Sequence, residues 1–547
     1  MMMRTMKITH WPCFWLALAG ACVSQQAQAQ MPPIDAGQNL EQFRPTPQPL
    51  PQGPQLQLPS GASMVVPPGG ALISVSAVTF SGNSRLSAAE LLGAMGGAQA
   101  LIKPFDLAGL RDLADRVTDH YRLTGYPFAR AFLPVQDLSS GQLRIEVVEG
   151  RYGKVGVESK TAGLSERVQP YLGALIAGNV IETGVLERVT LLLNDLPGMS
   201  ATPVMTPGAS TGEGDLAVVV QQDATTNGGI GIDNHGSRYA GAWRTRADVA
   251  LSNVAVFGDQ LSLNAITPTP VLWTGTLNYA LPLGAQGWRL QLGHARSRYQ
   301  LSGGFEGFEG LAVVNSVTMS YPLIRSQKLN LGLSLAYQDK QMEDKRIGVL
   351  ETKTARVVPL TLSFDRRDTV GGSGISYGTL SVATGEVRQA DETKTFKRWT
   401  LDVARQQRFD NAWSFYAHVL TQGANSNLDS SEGMSLGGAT GVRAYPSGES
   451  AGDEGWLFQA ELRLSLGAWS PYAFYDHGRV RIDARPELVV SPAPDQVRAG
   501  AGLGVRFQQG AWSADVAMAW RTQGGAPKAD TSNDPKPRVW LQTRYAF

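Results

Sequence analysis

Hydrophobic and polar residues alternate one by one along much of the C-terminal part of the chain. Clear examples are residues 329–337, 458–466 and 512–521. A hydrophobic residue occupies every second position there, and small, polar or charged residues lie between. Because successive side chains of a strand point to opposite faces, each segment is predicted to be a β-strand with one apolar and one polar face.

A soluble β-sandwich would alternate in the same way, but three features favour a closed antiparallel barrel in a membrane. The segments run for about ten residues, the length that a tilted membrane-crossing strand needs. Residues 223–547 provide about 16 strands at roughly 20 residues for each strand and its turn. Aromatic residues also stand at segment ends, as they do at membrane interfaces: Trp288, Trp399, Trp512, Trp520 and Tyr545. Lipid requires closure, because an open sheet edge would leave backbone groups unsatisfied.

Residues 71–222 follow a different pattern, which mixes strands and helices and occurs twice. In residues 71–150 a strand at 73–80 precedes a helix that Ser87 and Glu90 open as a capping box. A second helix at about 106–123 and strands at 128–133 and 143–148 complete this unit. Residues 151–222 repeat the order, with a helix at 185–193 and a last strand at 216–220. The prediction is two small βααββ modules in tandem.

The N-terminal residues indicate export from the cytoplasm. Residues 1–29 combine basic residues, a short apolar run and Ala27-Gln28-Ala29, the pattern of a cleaved secretory signal. A lipoprotein signal at Cys22 is the alternative, and it lacks the usual leucine. Both cysteines, Cys13 and Cys22, lie in this segment, so a cleaved chain would have no disulfide. Residues 30–70 are predicted to be a Pro-rich linker, with a short helix at 34–44.

Charge and residue spacing favour no enzyme class. A formal net charge of +1 favours neither nucleic acid nor an anionic surface. The six histidines have no metal-ligand spacing, and two G-x-S-x-G matches lie outside a strand–turn–helix elbow. We therefore expect neither an enzyme, nor a metal, nor a cofactor.

The end of the chain is an amphipathic segment that closes with an aromatic residue. Leu541, Tyr545 and Phe547 share one face of the predicted last strand. A terminal Phe on such a strand resembles the signal that directs barrels into the outer membrane. The alternative is any strand that happens to end in Phe.

Short motifs resemble one family over essentially the whole chain after the signal. They are Tyr126-Pro127-Phe128-Ala129-Arg130-Ala131, Leu133-Pro134-Val135-Gln136-Asp137, Val147-Val148-Glu149-Gly150, Asn194-Asp195-Leu196-Pro197-Gly198, Asp233-Asn234-His235-Gly236-Ser237, Leu436-Gly437-Gly438, Val442-Arg443-Ala444-Tyr445 and Phe474-Tyr475-Asp476-His477-Gly478. The chain thus resembles the two-partner secretion transporters, the haemolysin/haemagglutinin exporters of the outer membrane. The resemblance implies a plug helix and linker, two periplasmic POTRA modules and a 16-stranded barrel.

The resemblance also implies a site inside the barrel. Val442, Arg443, Ala444 and Tyr445 would lie on a loop that folds into the lumen, and Arg443 would pair with Asp476 of the strand motif Phe474, Asp476, Gly478. A guanidinium in a partly desolvated lumen needs a fixed carboxylate, so the pair would latch the loop. The alternative is one lumen ion pair among many, since Glu461 and Arg463 lie nearby in the sequence. Ala444 replaces a family Gly and would be strained if the turn required a positive φ.

A second implied site is a groove on the first POTRA module. Its middle strand would lie at the sheet edge and take an extended substrate strand, with Phe128, Arg130, Phe132 and Leu133 as the groove residues. The alternative is a plain structural edge, which the flanking prolines protect from aggregation.

The resemblance implies a transporter that captures the N-terminal secretion domain of a large exoprotein and exports it through the barrel. A haemolysin, an adhesin and a growth-inhibition toxin all remain open as cargo. Outer-membrane lipid and the barrel-assembly machinery would be the other partners, and the chain would act as a monomer. The alternatives are an assembly factor for outer-membrane proteins and a passive porin.

Overall fold

The computed structural model describes residues 35–41, 47–52, 67–268, 273–490, 493–531 and 533–547, which belong to one unit, Pro33–Phe547. The predicted signal 1–29 and parts of the linker lie outside the described residues. In the described ranges, no helix is long and apolar enough to cross a membrane.

The first α/β module is a three-stranded sheet with two helices against it. Its elements, after the short helix α1 (Ala36–Glu41), are β1 (Ala77–Ser81), α2 (Ala88–Ala94), a 3₁₀ turn (Ala98–Leu101), α3 (Leu107–Leu123), β2 (Arg130–Phe132) and β3 (Gln142–Val148). The sheet order is β1-β3-β2, which places β2 at an edge. Ser87 caps α2 in the capping box with Glu90 that the sequence predicts.

Two strands of this module are shorter than the sequence pattern predicts. Strand β1 begins at Ala77, because Ile73 forms only an isolated bridge with Phe105. Strand β2 begins at Arg130, and Phe128 instead packs against the core of the second module. A Cβ at Gly150, whose φ is +72°, would collide with Phe128, so this close approach requires glycine.

The second module repeats the βααββ order. It consists of β4 (Arg151–Ser159), α4 (Leu164–Val168), a 3₁₀ turn (Gln169–Ala174), α5 (Thr183–Asn194), β5 (Met199–Pro207) and β6 (Glu213–Gln222). The sheet order is β4-β6-β5, the same arrangement as in the first module. Leucines of α5 and valines of β6 form its buried core.

Sixteen antiparallel strands of the described chain close a barrel, as the sequence predicts. They are β7 (Thr226–Asp233), β8 (Arg244–Ser252), β9 (Gln260–Pro268), β10 (Trp273–Leu283), β11 (Trp288–Gln300), β12 (Phe308–Arg325), β13 (Leu329–Arg346), β14 (Val349–Asp368), β15 (Ser373–Gln389), β16 (Glu392–Arg408), β17 (Trp413–Ala424), β20 (Glu454–Leu464), β21 (Trp469–Arg481), β22 (Gln496–Gln509), β23 (Trp512–Gln523) and β24 (Arg538–Ala546). Two short strands, β18 (Met434–Ser435) and β19 (Ala451–Gly452), lie in the loop between β17 and β20.

The outer face of the barrel carries an apolar band between two rows of tryptophan. Trp288, Trp413, Trp469 and Trp512 stand near the module side, and Trp273, Trp399, Trp456 and Trp520 near the far side; all are 37–57% exposed. Trp512 and Trp520 of β23 are about 26 Å apart at roughly 3.3 Å per residue. At the ~35–45° tilt of such strands this length spans about 20 Å of membrane height, close to the ~25 Å lipid-facing band of such barrels.

Strands β12 to β16 are longer than the predicted ten residues and have 17–20 residues each. On β13 the outward apolar residues end at Tyr337, and Asp339, Gln341 and Glu343 follow on the same face. These strands therefore continue beyond the lipid on the far side of the barrel.

The barrel closes between its last and first strands. The pairing of β24 with β7 runs from Gln542↔Asp233 to Ala546↔Gly229. Phe547 and Gly228 then exchange two backbone hydrogen bonds of 3.0 Å each. Tyr545 and Phe547 are exposed on the outer face, at 39% and 59%.

Candidate functional site

The loop between β17 and β20, residues 425–453, folds back into the barrel and is called the lumen loop below. Its apolar residues Met434, Leu436, Val442 and Tyr445 are at most 1% exposed. They pack against inward-facing side chains of the wall, which include Tyr472 and Phe474. The loop is thus a packed part of the interior.

Arg443 of the lumen loop is held by Asp476 of β21. Its Nε and Nη2 donate to the two oxygens of Asp476 at 2.9 and 2.6 Å, and its backbone N–H donates to the same carboxylate at 3.0 Å. Arg443 is 5% exposed and Asp476 is fully buried. A two-pronged fork in a buried site is the strong form of this interaction.

A second carboxylate completes the surroundings of Arg443. Its Nη1 donates to Glu461 Oε1 at 2.6 Å, and Glu461 also pairs with Arg463 and Arg506. The guanidinium carbon lies 3.6 Å from the centre of the Phe474 ring, a cation–π contact. The predicted Arg443–Asp476 latch and the alternative of several lumen ion pairs are therefore parts of one network. Glu461 connects the predicted pair to its neighbours.

Ala444 adopts no strained turn. It is absent from the residues with a positive φ, and its side chain is 5% exposed. A Cβ added to Gly500 of β22 would collide with the Ala444 Cβ. The barrel wall thus provides the space for this methyl group. The backbone strain that a positive φ at Ala444 would cause does not arise.

Glycines of β21 and β22 make room for other side chains of the site. A Cβ at Gly502 would collide with the Phe474 ring, and one at Gly504 with the Tyr472 ring. Gly478 faces Leu436, whose Cδ2 would lie 2.7 Å from an added Cβ. The small residue at the end of the strand motif therefore lets the lumen loop approach β21.

Two aromatic residues make hydrogen bonds between the lumen loop and the last two strands with the segment that joins them. The indole N–H of Trp540 donates to the Arg443 carbonyl at 2.7 Å. The Tyr445 hydroxyl donates to the carbonyls of Gln523 and Gly525 at 2.8 and 3.1 Å. No pattern in the sequence indicates these contacts.

Helix α1 also lies inside the barrel, against the wall formed by β11 to β13. The Ala36 N–H donates to Asp344 at 3.0 Å, and the Asn39 amide donates to Ser297 at 2.5 Å. A Cβ at Gly37 would lie 2.6 Å from the backbone N of Ser431, so the helix touches the lumen loop as well. The predicted helix is present, and the interior keeps a cavity of about 1630 Å³ beside these two elements.

The described linker residues 47–52 reach the module-side rim. The Leu50 N–H donates to Asp365, and the Leu50 carbonyl accepts from Arg367 at 2.6 Å. The next carbonyl, of Pro51, accepts from Arg325 at 3.2 Å. The linker thus leaves the lumen beside the second module.

Arg325, at the end of β12, clamps the second module to the barrel. Its Nε and Nη2 donate to Asp195 at 2.8 and 2.7 Å, and its Nη1 donates to Asn330 at 3.0 Å. Arg325 is 3% exposed. The motif that contains Asp195 is therefore a docking segment, and the Pro197 carbonyl adds a contact to Asn253 of the first module-side turn.

The four predicted groove residues of the first module point in different directions. Arg130 and Phe132 are exposed on β2, and Phe132 retains 39% exposure. Leu133 packs against the core of its own module, and Phe128 against that of the second. Among the described residues, no strand pairs with the outer edge of β2, where the Ala131 N–H instead donates to Thr118 Oγ1 of α3 at 2.9 Å.

A closed barrel with two α/β modules on one rim and a pinned loop inside defines an outer-membrane transporter. Residues 212–507 match the family described as haemolysin secretion/activation protein ShlB/FhaC/HecB. Residues 73–150 match the POTRA domain of the ShlB type. The chain therefore belongs to the ShlB/FhaC/HecB family, which confirms the predicted resemblance and places the barrel in the outer membrane and the POTRA modules in the periplasm.

Relatives are similar over most of the chain. The heme/hemopexin transporter protein HuxB of Haemophilus influenzae is 24% identical over 471 residues, 81% of this chain and 82% of HuxB. The outer membrane transporter CdiB of Dickeya dadantii is 22% identical over 392 residues, 66% of this chain and 67% of CdiB.

Two solved structures share the fold. CdiB from Escherichia coli superposes with a TM-score of 0.69 at 20% identity and covers 90% of this chain and 93% of its own. CdiB from Acinetobacter baumannii gives 0.65 at 16% identity, with 93% and 96% covered.

Proposed function

We propose that this protein secretes a large partner exoprotein through its own barrel. The POTRA modules bind the N-terminal secretion domain of the partner in the periplasm, and the partner then passes the lumen as an extended chain. The observation that carries this proposal is the buried fork of Arg443 on Asp476. It holds a loop in the transport route by side-chain contacts, which can be broken and remade.

The lumen loop and α1 have different parts in the resting state. The lumen loop is a latch, since a buried ion-pair network fixes it. Helix α1 is the removable plug, because a six-residue helix is far below the roughly 12–15 residues that are marginally stable alone. It therefore depends on the lumen for its fold and would leave as an extended chain.

The edge of β2 is the first binding site for the partner. An added strand would pair with this edge by displacing the bond from the Ala131 N–H to Thr118 Oγ1, which is 2.9 Å long. Phe132 on β2 and Leu123 at the end of α3, which is 86% exposed, offer apolar contacts beside this edge. We infer that Arg130 and Phe132 contact the partner, whereas Phe128 and Leu133 hold the strand in place.

The chain needs no catalytic site or cofactor for this function. Folding of the partner at the cell surface would give transport its direction. We also infer that the chain acts as a monomer and that the barrel-assembly machinery recognises its last strand through Leu541, Tyr545 and Phe547.

Co-expression with a candidate large exoprotein from the same genome tests the proposal, with export measured as exoprotein in the medium. Deletion of residues 71–222 and the variant Arg443→Ala should each abolish export while the barrel still inserts. Lys394→Ala, at an exposed pair with Glu392, is the matched control. Full export by both test variants would contradict the proposal, and a general loss of outer-membrane proteins on depletion would indicate an assembly factor instead.

A further inference from the structure

The lumen loop contains a second buried ion pair, which lies outside the family motifs. Glu449 is fully buried, and Arg498 of β22 is 4% exposed. Arg498 donates from Nε and Nη2 to Oε1 of Glu449 at 3.0 and 2.7 Å. A buried carboxylate needs such pairing, since an isolated charge is costly away from water.

The other oxygen of Glu449 binds a different part of the barrel. Oε2 accepts the backbone N–H groups of Lys528 and Ala529, each at 2.8 Å. Both residues belong to the extracellular loop 524–537 between β23 and β24, called the outer loop below. One side chain of the lumen loop therefore fixes the middle of the outer loop through its backbone.

The start of the outer loop is held by the same group of residues. The Tyr445 hydroxyl donates to the Gly525 carbonyl, and Arg498 Nη1 donates to the Gly524 carbonyl at 3.1 Å. The ring of Tyr445 lies 5.1 Å from the guanidinium carbon of Arg498. Lumen loop, β22 and outer loop thus meet in one continuous network.

We propose that Glu449 and Arg498 form an outer anchor, which couples the position of the outer loop to that of the lumen loop. The inner anchor, Arg443 with Asp476, holds the tip of the lumen loop. When that tip moves, Glu449 withdraws from Lys528 and Ala529, and the outer loop is released. The transport route and its extracellular mouth then open as one event, an inference that rests on the proposed movement of the lumen loop.

Hydrogen exchange of the purified full-length protein without cargo tests this coupling at the two amides that Glu449 binds. Glu449→Gln should speed exchange at Lys528 and Ala529 by about tenfold or more, since bonds to a charged acceptor are lost. Arg443→Ala leaves Glu449 intact, and coupling requires that it also speeds exchange at these amides. Glu454→Gln removes the carboxylate of a rim pair with the half-exposed Arg481 and should leave them protected.

Two results would overturn the proposal. Unchanged exchange in Glu449→Gln would show that the carboxylate does not hold the outer loop. Protection retained in Arg443→Ala, with fast exchange in Glu449→Gln, would show a local bond without coupling. Arg498→Gln keeps Glu449 and should speed exchange at Lys528 and Ala529 to a smaller extent. This variant replaces Glu449→Gln in the test if Glu449→Gln fails to insert into the membrane. The measurement uses no cargo, so it is independent of whether secretion is observed.

Discussion

The methyl group of Ala444 lies against the backbone of Gly500. The lumen loop carries the side chain, and β22 provides the space opposite it. Neither residue alone indicates this contact, because the family motif has Gly at position 444 and so has no methyl group there. The contact shows that the seating of the loop depends on the volume of two residues together.

Gly500→Ala should displace the lumen loop, because overpacking a tight contact costs about 1–3 kcal/mol. Ala444→Gly should be tolerated, and the double variant Ala444→Gly/Gly500→Ala should recover. Channel conductance in planar bilayers measures the seating of the loop. Gly275→Ala is the control, since an added Cβ there meets Trp273 at an ordinary 3.5 Å. Equal conductance of the wild type and Gly500→Ala would contradict this contact.

Alternation predicted the strands, and the aromatic residues at segment ends together with the segment length predicted the barrel. The strand number of about 16 followed from the length of residues 223–547 at roughly 20 residues for each strand and its turn. The lengths of β12 to β16 did not follow, because alternation continues in their polar extensions, where water replaces lipid.

The contacts of the site required more than periodicity. A strand pattern tells which face a residue occupies, but not which distant residue lies opposite. Arg325 and Asp195 are 130 positions apart, and Arg498 and Glu449 are 49 apart. Only the family motifs indicate that Arg443 and Asp476 form a pair. Only proximity in the sequence indicates that Glu461 lies near them.

Arg443→Lys should weaken the latch although it keeps the charge. A lysine has no planar fork, so it cannot bind both Asp476 oxygens and Glu461 in the geometry that Arg443 uses. We expect larger and more frequent open states in single-channel recordings. Asp476→Asn should act in the same direction, because removing one partner of a buried pair costs about 3–5 kcal/mol. Arg463→Lys, at a less buried partner of Glu461, should differ little from the wild type.

Arg325 binds both Asp195 of the second module and the linker, so we expect variants of these two residues to differ in their effect on the linker. Asp195→Asn should loosen the second POTRA module but leave the linker bound, since Arg325 still reaches the Pro51 carbonyl. Arg325→Ala should free both. Hydrogen exchange at residues 47–52 and 195–198 separates these effects, and Asp223→Asn, at an exposed pair with Ser200, is the control. Identical exchange at 47–52 in the two variants would show that Arg325 does not join the linker to the module.

The buried Tyr121 leads us to predict that the first POTRA module loses stability at alkaline pH. Burial and then the charge of Glu149 raise the pKa of Tyr121 above its ordinary value, and its hydroxyl donates to Glu149 at 3.1 Å. Because the folded state raises this pKa, the stabilisation is complete below the unfolded pKa of about 10 and is lost as the pH rises beyond it.

Tyr121→Phe should therefore cost about 1–3 kcal/mol at neutral pH, through the lost hydrogen bond to a charged acceptor. The same variant should lose less stability than the wild type between pH 9 and pH 11, roughly the range around the tyrosine pKa. Pulse proteolysis of the full-length protein, read at fragments from α3, measures both differences. Tyr126→Phe alters a ring that packs edge-on at 5.8 Å and should follow the wild type at every pH. Parallel alkaline losses in the wild type and Tyr121→Phe would show that ionisation of Tyr121 does not limit the stability of this module.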